Sequence, residues 1–355
     1  MAEGTSLEGI SLQELQLAAR NHGMPLEALR WPVTPVGLHY LLIHYDVPDV
    51  DGAVWGLRVR GERELSLGLD ELKRRPRAEL AVTMECAGNG RARLEPRPVS
   101  QPWLSEAIGT ARWAGTPLRP LLEEAGLPEG AVEVLFTGLD RGIEGGEEQA
   151  FQRSVPLEEA LRDEVLLAFE MNGSPLPPQH GYPLRLVVPG WYGMTNVKWL
   201  DEIQVLTEPF TGYQNMQGYR LRQEEDDEGE PLARMLPRSL IVPPGIPEFL
   251  SRDRTVPAGE ILLQGRAWSG HALVESVDVS VDGGASWAPA ELEPDGGERW
   301  AWRGFRFRWD AEPGDYTVCS RARDEAGNEQ PLEPLWNLGG YSNNSVQRIP
   351  VTVTG

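Results

Sequence analysis

From about residue 240 onwards, the sequence consists of short segments in which apolar and polar side chains alternate. Four of them stand out: ILLQGRAWSG, VESVDVSVDGGASW, RWAWRGFRFRW and DYTVCSRARD. Alternation with a period of two is typical of strands that bury one face, and a DGG triplet between two such runs is typical of a hairpin turn. Several short strands at this spacing predict a β-sandwich of immunoglobulin type.

One of these segments, WAWRGFRFRW, changes the parity of its aromatic residues. Trp300 and Trp302 occupy even positions, whereas the three aromatic residues that follow occupy odd positions, with Gly304 at the change. One extra residue in one strand of a pair shifts parity in this way, so we expect a β-bulge at Gly304.

The first two thirds of the chain mixes short helices with strands. Apolar residues at helical spacing predict a helix over residues 8–22, and alternation predicts a strand in AVWGLRVRG. The segment 34–51 reads as a β-rich entry, 117–127 as a helix closed by glycine, and 156–173 as a helix followed by a buried strand. This mixture predicts an α+β fold with mixed β-sheets rather than a regular βαβ winding.

The length and the Pro-rich stretch at 236–260 indicate two domains. A chain of 355 residues exceeds the usual size of one domain, and composition changes near residue 238. We therefore predict a first domain over residues 1–238 and an immunoglobulin-like domain over 239–355.

The formal net charge of −21 argues against nucleic acid as a partner, because the phosphate backbone would be repelled. No stretch approaches the roughly 20 apolar residues that span a bilayer, and the first residues lack the pattern of a secretory signal. From these features we expect no membrane association and a cytoplasmic protein, or a periplasmic one if a signal peptide was removed.

Residues 83–91, TMECAGNGR, contain one of only two cysteines in the chain. The other, Cys319, falls in the second predicted domain, so we predict a thiol at Cys86 and a small packed residue at Cys319. Gly88 and Gly90 leave room for a close approach, and Arg91 favours the thiolate, which suits a metal ligand or a nucleophile. The alternative for Cys86 is a buried structural thiol.

A second stretch, HGYPLRLVVPGWYGMTNVKWL at 180–200, combines cations with a glycine-bearing loop. His180, Arg185 and Lys198 together with backbone N–H groups are the means by which proteins bind phosphorylated ligands. An anion site is therefore one hypothesis, and a solvated surface loop is the other.

Together these stretches resemble the sulfite oxidase family of molybdenum enzymes, in particular its haem-free bacterial members. The resemblance extends over CAGNGR, AIGTARWAGTPLRPLL, EVLLAFEMNGSPLPPQHGYPLRLVVPG, VKWL, AWSG, VDVSVDGGASW, WAWR and WNLGG. It implies a molybdopterin domain, a C-terminal immunoglobulin-like dimerisation domain and hence a homodimer. It also implies oxidation of sulfite to sulfate, with electrons passing to an external acceptor such as cytochrome c.

The resemblance assigns site residues as well. Cys86 would ligate molybdenum, and Arg91, Trp103 and Tyr219 would line the substrate site with it. The residues implied to hold the cofactor are His39, Tyr40, His44, Cys86, Asp140, His180, Arg185 and Lys198. A turn role is the alternative for Asp140.

Three cations of the family's substrate site are replaced in this sequence. RNH becomes LIH with Leu42, a lysine gives way to the pair Ser100–Gln101, and WNLRG becomes WNLGG with Gly339. Each charge-assisted contact to an anion is worth roughly 1.5–3 kcal/mol, so affinity for a dianion should fall. The alternative substrate is therefore a sulfoxide, an N-oxide or another sulfur compound. An interaction module without turnover is the remaining hypothesis.

Overall fold

The structure is a computed structural model that describes residues 9–355. The chain divides into two compact units that do not follow chain order. The sandwich unit contains residues up to Tyr40, Gly88–Thr110 and Arg234–Gly355, and the mixed-sheet unit contains Leu41–Ala87 and Ala111–Ala233. The division predicted after residue 238 stays a prediction.

The helices are short. The α-helices are α1 (Leu12–Arg20), α2 (Leu69–Lys73), α3 (Arg119–Ala125), α4 (Leu157–Ala160) and α5 (Tyr213–Met216). The 3-10 turns are Leu26–Arg30, Val36–Leu38, Arg91–Arg93, Pro178–His180 and Gly193–Thr195. The predicted first helix is confirmed as α1, where Ser11 and Glu14 form a reciprocal N-terminal cap; residue 8 of that prediction lies outside the described residues. None of the described helices is long and apolar enough to cross a membrane.

The mixed-sheet unit contains the first twelve strands, except that β4 begins in the sandwich unit. They are β1 (Gly56–Arg60), β2 (Glu64–Gly68), β3 (Ala78–Glu85), β4 (Ile108–Pro117), β5 (Glu133–Glu144), β6 (Glu147–Pro156), β7 (Leu166–Met171), β8 (Ser174–Pro175), β9 (Arg185–Val187), β10 (Leu200–Leu206), β11 (Arg220–Leu221) and β12 (Glu230–Pro231). One five-stranded sheet has the order β2-β1-β10-β5-β6, in which only the β1–β10 pair is parallel. A second has the order β3-β4-β7-β8, with β9 paired to β7.

Burial in these strands follows the sequence pattern. Leu57 and Val59 in β1 are fully buried, whereas Val54 on the opposite parity is exposed. The helix predicted over 117–127 is confirmed as α3, and the helix and buried strand predicted over 156–173 are confirmed as α4 and β7. Gly126 ends α3 with a positive φ. A positive φ is available to glycine without a Cβ penalty, which explains the helix end.

The sandwich unit contains the last ten strands. They are β13 (Arg238–Ile241), β14 (Ile246–Pro247), β15 (Arg254–Pro257), β16 (Gly259–Trp268), β17 (Val274–Ser280), β18 (Ala288–Pro289), β19 (Glu291–Leu292), β20 (Arg303–Ala311), β21 (Gly314–Asp324) and β22 (Ile349–Thr354). One sheet has the order β13-β16-β20-β19 and the other β14-β15-β22-β21-β17-β18. Both contribute to a single core that includes Ile241, Val279, Phe305, Val318 and Val351. The predicted sandwich and its DGG hairpin are confirmed.

Two local predictions are wrong. β16 and β20 pair without a register shift through Gly304, so there is no bulge; Trp302 precedes the strand and donates to Pro32 O instead. A Cβ at Gly304 would overlap the end of the Glu293 side chain, so glycine leaves room for this carboxylate. Residues 34–51 form the 3-10 turn Val36–Leu38 and irregular chain rather than strands.

Candidate active site

Cys86 follows the last residue of β3, where the strand passes into a loop. All residues from 81 to 91 are buried, and Cys86 itself is 8% exposed. Both cysteines are thiols, as predicted, and Cys319 is fully buried within β21. Burial raises the pKa of Cys319 to about 11, which keeps it protonated and inert.

Arg91 is buried in the sandwich unit and is held by a glycine-rich loop near the C-terminus. Its Nε donates to Gly339 O at 2.9 Å, and its guanidinium lies 4.9 Å from the Tyr341 ring centroid. A Cβ at Gly88 would lie 2.7 Å from Arg91 Cζ, and one at Gly340 would lie 2.7 Å from Arg91 Cγ. These glycines therefore let the side chain pack, while its terminal nitrogens make no hydrogen bond within the described chain.

Three further predicted residues belong to the sandwich unit. His39 is 2% exposed; its Nδ1 lies 3.0 Å from Tyr40 O, and the two rings stack with centroids 5.2 Å apart. A Cβ at Gly109 would lie 2.6 Å from the His39 ring, so glycine is required there. Trp103 is 5% exposed, and its carbonyl accepts from Ala92 N at 3.0 Å.

The mixed-sheet unit brings His180 and Arg185 together at the start of β9. Arg185 donates to His180 O and Asn196 O, each at 3.1 Å, and its guanidinium lies 4.5 Å from the Trp113 ring centroid. These contacts fix the Pro178–His180 turn against the strand. Arg185 therefore supports the loop that carries His180.

Lys198 supports the same turn from the other side. Its Nζ donates to Gln179 O at 3.3 Å and to Leu42 O at 2.8 Å, and it lies 4.2 Å from the Trp199 ring centroid. Arg185 and Lys198 thus both contact the turn that carries His180. Because His180 and Arg185 are buried, this stretch is not a solvated surface loop, and the anion site stays a prediction.

Asp140 in β5 is 3% exposed, and its Oδ1 has no hydrogen-bond partner among the described residues. Burial raises the pKa of Asp140 to about 6, although the charges of Lys198 and His44 act in the opposite direction. A Cβ at Gly138 would lie 2.7 Å from this Oδ1. A buried acceptor without a partner is unfavourable unless a ligand supplies the donor.

His44 contacts two residues that are distant from it in the chain, Glu144 and Tyr219. Its Nε2 lies 3.0 Å from Glu144 Oε2, and its Nδ1 lies 3.4 Å from the Tyr219 hydroxyl. Tyr45 also donates to Glu144 Oε2 at 2.7 Å, and Gln214 donates to the Tyr45 hydroxyl at 2.6 Å. His44 and Tyr219 were predicted site residues, whereas Glu144, Tyr45 and Gln214 were missed.

Two family models match the chain. Residues 44–214 match the oxidoreductase molybdopterin binding domain, and residues 232–354 match the Mo-co oxidoreductase dimerisation domain. The sulfite oxidase of Arabidopsis thaliana is 33% identical over 350 residues, which cover 89% of this chain and 87% of that protein. The mitochondrial sulfite oxidase of Rattus norvegicus is 37% identical over 347 residues, which cover 90% of this chain but only 62% of the rat protein.

The fold of this chain is also similar to that of a solved structure. The sulfane dehydrogenase SoxCD from Paracoccus pantotrophus superposes with a TM-score of 0.80 at 27% identity, covering 94% of this chain and 86% of that one. The fold and the site therefore define a molybdopterin-binding oxidoreductase with a dimerisation-type sandwich. More specifically, the chain belongs to the sulfite oxidase family.

The residues present fit molybdenum with molybdopterin, the cofactor of this family. The buried, unpartnered Asp140 Oδ1 suits an N–H donor of a pterin ring. Thiolate sulfur is a soft ligand of the kind Cys86 can supply. The positive charge of Arg185 and Lys198 beside the His180 turn suits a phosphate.

Proposed function

We propose that this protein oxidises sulfite to sulfate by oxo transfer at a Cys-ligated molybdenum centre and passes the electrons to an external acceptor such as cytochrome c. The observation that carries the proposal is the buried Arg91, whose terminal guanidinium nitrogens are not used by the described chain. A guanidinium in this state is a fixed donor for an oxyanion.

In this proposal Cys86 binds the metal, and Asp140 accepts a hydrogen bond from the pterin. The residues that hold the rest of the cofactor are His39, Tyr40, His44, His180, Arg185 and Lys198. When bound, the molybdenum centre supplies the two-electron oxo transfer. Arg91 binds and orients the substrate oxygens, the Tyr219 hydroxyl serves as a second hydrogen-bonding group, and the buried Trp103 excludes water.

Metal analysis combined with a steady-state assay tests the proposal. We expect about one molybdenum per chain and sulfite-dependent reduction of ferricyanide or cytochrome c over a wide range of sulfite concentrations. Molybdenum-replete protein that reduces neither acceptor at any sulfite concentration would remove the sulfite assignment.

Replacing Arg91 by methionine should raise the KM for sulfite about tenfold or more, because a charge-assisted hydrogen bond to a buried anion is lost. Molybdenum content should stay unchanged. Arg308→Met is the matched control, since Arg308 belongs to the same unit, is 73% exposed and pairs with Glu260. Equal effects of the two substitutions would show that overall charge, not a contact by Arg91, is responsible.

A second candidate substrate is a less highly charged sulfur compound, such as a sulfane, the class named for SoxCD. The observation that favours it is the packing at Gly339, where the family carries arginine. A Cβ at Gly339 would overlap the Tyr341 ring, which itself packs on Arg91. The Tyr341 ring thus occupies the space beside Gly339, and Arg91 is the cation that packs on this ring.

This packing predicts the outcome of restoring the arginine. Gly339→Arg alone should not improve the KM for sulfite, because the Tyr341 ring occupies the space that the new side chain needs. Gly339→Arg combined with Tyr341→Gly should lower the KM about tenfold, by one charge-assisted contact. Parallel assays with sulfite and a sulfane substrate measure both variants. An improvement by the single substitution would contradict the role given to Tyr341.

The electron acceptor is proposed to be a basic cytochrome that docks on the acidic protein. With a formal net charge of −21, association should be steered electrostatically and should slow as salt is added. We expect the second-order rate constant for cytochrome c reduction to fall at least about tenfold between 20 mM and 300 mM salt. Ferricyanide, an anion, is the control and should not slow. A cytochrome rate independent of ionic strength would exclude this docking mode.

We also propose that the protein is a homodimer. Residues 232–354 match a model described as a dimerisation domain, and this range coincides with the β-sandwich. Sedimentation equilibrium should give about twice the 39.3 kDa mass of one chain. A monomer at all accessible concentrations would refute the proposal.

A further inference from the structure

We propose that Glu144 is a positioning residue that acts through His44 on the hydroxyl of Tyr219, and that Tyr45 and Gln214 hold the Glu144 carboxylate in place. The inference rests on the proposed function, in which Tyr219 contacts the substrate. It concerns residues of the mixed-sheet unit alone, and Glu144 lies at the end of β5.

The hydrogen bonds around His44 have a defined direction. A carboxylate only accepts, so the 3.0 Å contact with Glu144 Oε2 requires the proton on His44 Nε2. In neutral His44 the other nitrogen, Nδ1, is then an acceptor, and the Tyr219 hydroxyl 3.4 Å away donates to it. Glu144 therefore selects the imidazole tautomer, and the tautomer sets the direction of the Tyr219 hydroxyl.

The carboxyl group of Glu144 is ionised. Burial alone would raise its pKa, but hydrogen bonds from His44, Tyr45 and Gln214 hold the pKa of Glu144 below its usual range. Burial and the neighbouring carboxylate raise the pKa of Tyr45, which keeps it a phenol and hence a donor. Glu144 is thus a carboxylate at neutral pH with two donors directed at Oε2.

The Tyr219 ring is held in place by its surroundings. Tyr219 has φ of 48°, a left-handed conformation that a tyrosine adopts only when its surroundings impose it. The guanidinium of Arg153 lies 5.6 Å from the Tyr219 ring centroid, and Arg153 is 2% exposed and donates to Gln214 O. The ring is therefore held while its hydroxyl direction still depends on His44.

The ionisable groups around His44 are Glu144, Tyr45, Tyr219 and, through its charge, Asp140. Of these, Glu144 makes the direct contact to His44 Nε2, so Glu144 is the group that selects the tautomer of the ring.

The tautomer is measured directly by 15N NMR of the cofactor-free full chain labelled at histidine. The sequence contains five histidines, so His44→Gln identifies the His44 signals. We expect the Nε2–H tautomer to predominate at pH 8. Glu144→Leu should lower the ratio of the Nε2–H to the Nδ1–H tautomer about tenfold, the factor for losing one charge-assisted hydrogen bond. Glu144→Gln, which retains an acceptor oxygen, should restore most of the ratio.

Glu147→Leu is the matched control, because Glu147 is exposed and faces Glu144 across the β5–β6 hairpin. It should leave the His44 tautomer unchanged. In the molybdenum-replete enzyme, Glu144→Leu should lower kcat about 10-fold or more with a smaller change in KM, because the Tyr219 hydroxyl is no longer oriented through His44.

Each result separates this inference from the proposed function. An Nδ1–H tautomer in the unsubstituted protein, or a tautomer ratio that Glu144→Leu leaves unchanged, would overturn the role of Glu144 whatever the enzyme oxidises. Loss of activity in Glu144→Leu that Glu144→Gln does not rescue, with no change of tautomer, would also overturn it. Failure to oxidise any sulfur substrate with the predicted NMR behaviour intact would instead remove the proposed function.

Discussion

Replacing Cys86 by serine is expected to lower the oxidation rate of the sulfur substrate by more than about 100-fold. Loss of an outer-shell partner of a metal ligand costs up to about 100-fold, and loss of the proposed ligand itself should cost more. A serine hydroxyl is a hard, protonated group at neutral pH, whereas a thiolate is a soft anionic ligand. The substitution replaces the sulfur atom by an oxygen atom and opens no large cavity at this position, which is 8% exposed. Steady-state kinetics normalised to bound molybdenum measure the effect.

Cys319→Ser is the control for this experiment. Cys319 is fully buried within β21 and makes no contribution to the proposed chemistry, so its serine variant should keep the full rate per molybdenum. Pterin content should also be measured and should be retained, because the proposed phosphate contacts of residues 180–198 do not involve the Cys86 sulfur. A Cys86→Ser enzyme with full activity would take Cys86 out of the mechanism.

The sandwich was predictable from sequence because its signal is local and repeated. Period-two alternation fixes which face of each strand is buried, and Val279 and Val318 accordingly lie in one core. Gly304 shows the limit of this reasoning. A parity change indicated a bulge, but Trp302 lies outside the strand, and the glycine accommodates the Glu293 side chain instead. A side-chain contact between two strands produces no periodic pattern in the sequence.

The candidate site was predictable to a different extent. Cys86, His180 and Arg185 stand in recognisable motifs, and the structure places the latter two in contact. Glu144 lies 100 residues from His44 in the chain, at the end of β5 beside a hairpin turn, and no sequence pattern joins the two. Tyr45 is adjacent to the predicted residue His44, which is the only sequence feature that points to it. The roles of Glu144 and Tyr45 are visible only from the distances between side chains.

Replacing Asp140 by asparagine is expected to stabilise the cofactor-free protein at neutral and alkaline pH. The folded-state pKa of Asp140 is about 6, above the ordinary value of 3.8, so its stabilising contribution is fully present below pH 3.8 and is lost as pH rises through about 6. Above that range the buried carboxylate destabilises the fold by about 3 kcal/mol, from two pKa units at 1.36 kcal/mol each. Asparagine does not ionise and avoids this effect.

Urea unfolding at about pH 8 and pH 4.5 measures the difference, which should be larger at the higher pH. Asp49→Asn is the control, since Asp49 is exposed. In the molybdenum-replete protein the same Asp140→Asn change should act in the opposite direction and weaken retention of the pterin. The substituted amide offers a weaker acceptor than a carboxylate to an N–H donor. A residue that served only a turn would give no such reversal, so equal effects on both forms would remove Asp140 from the cofactor site.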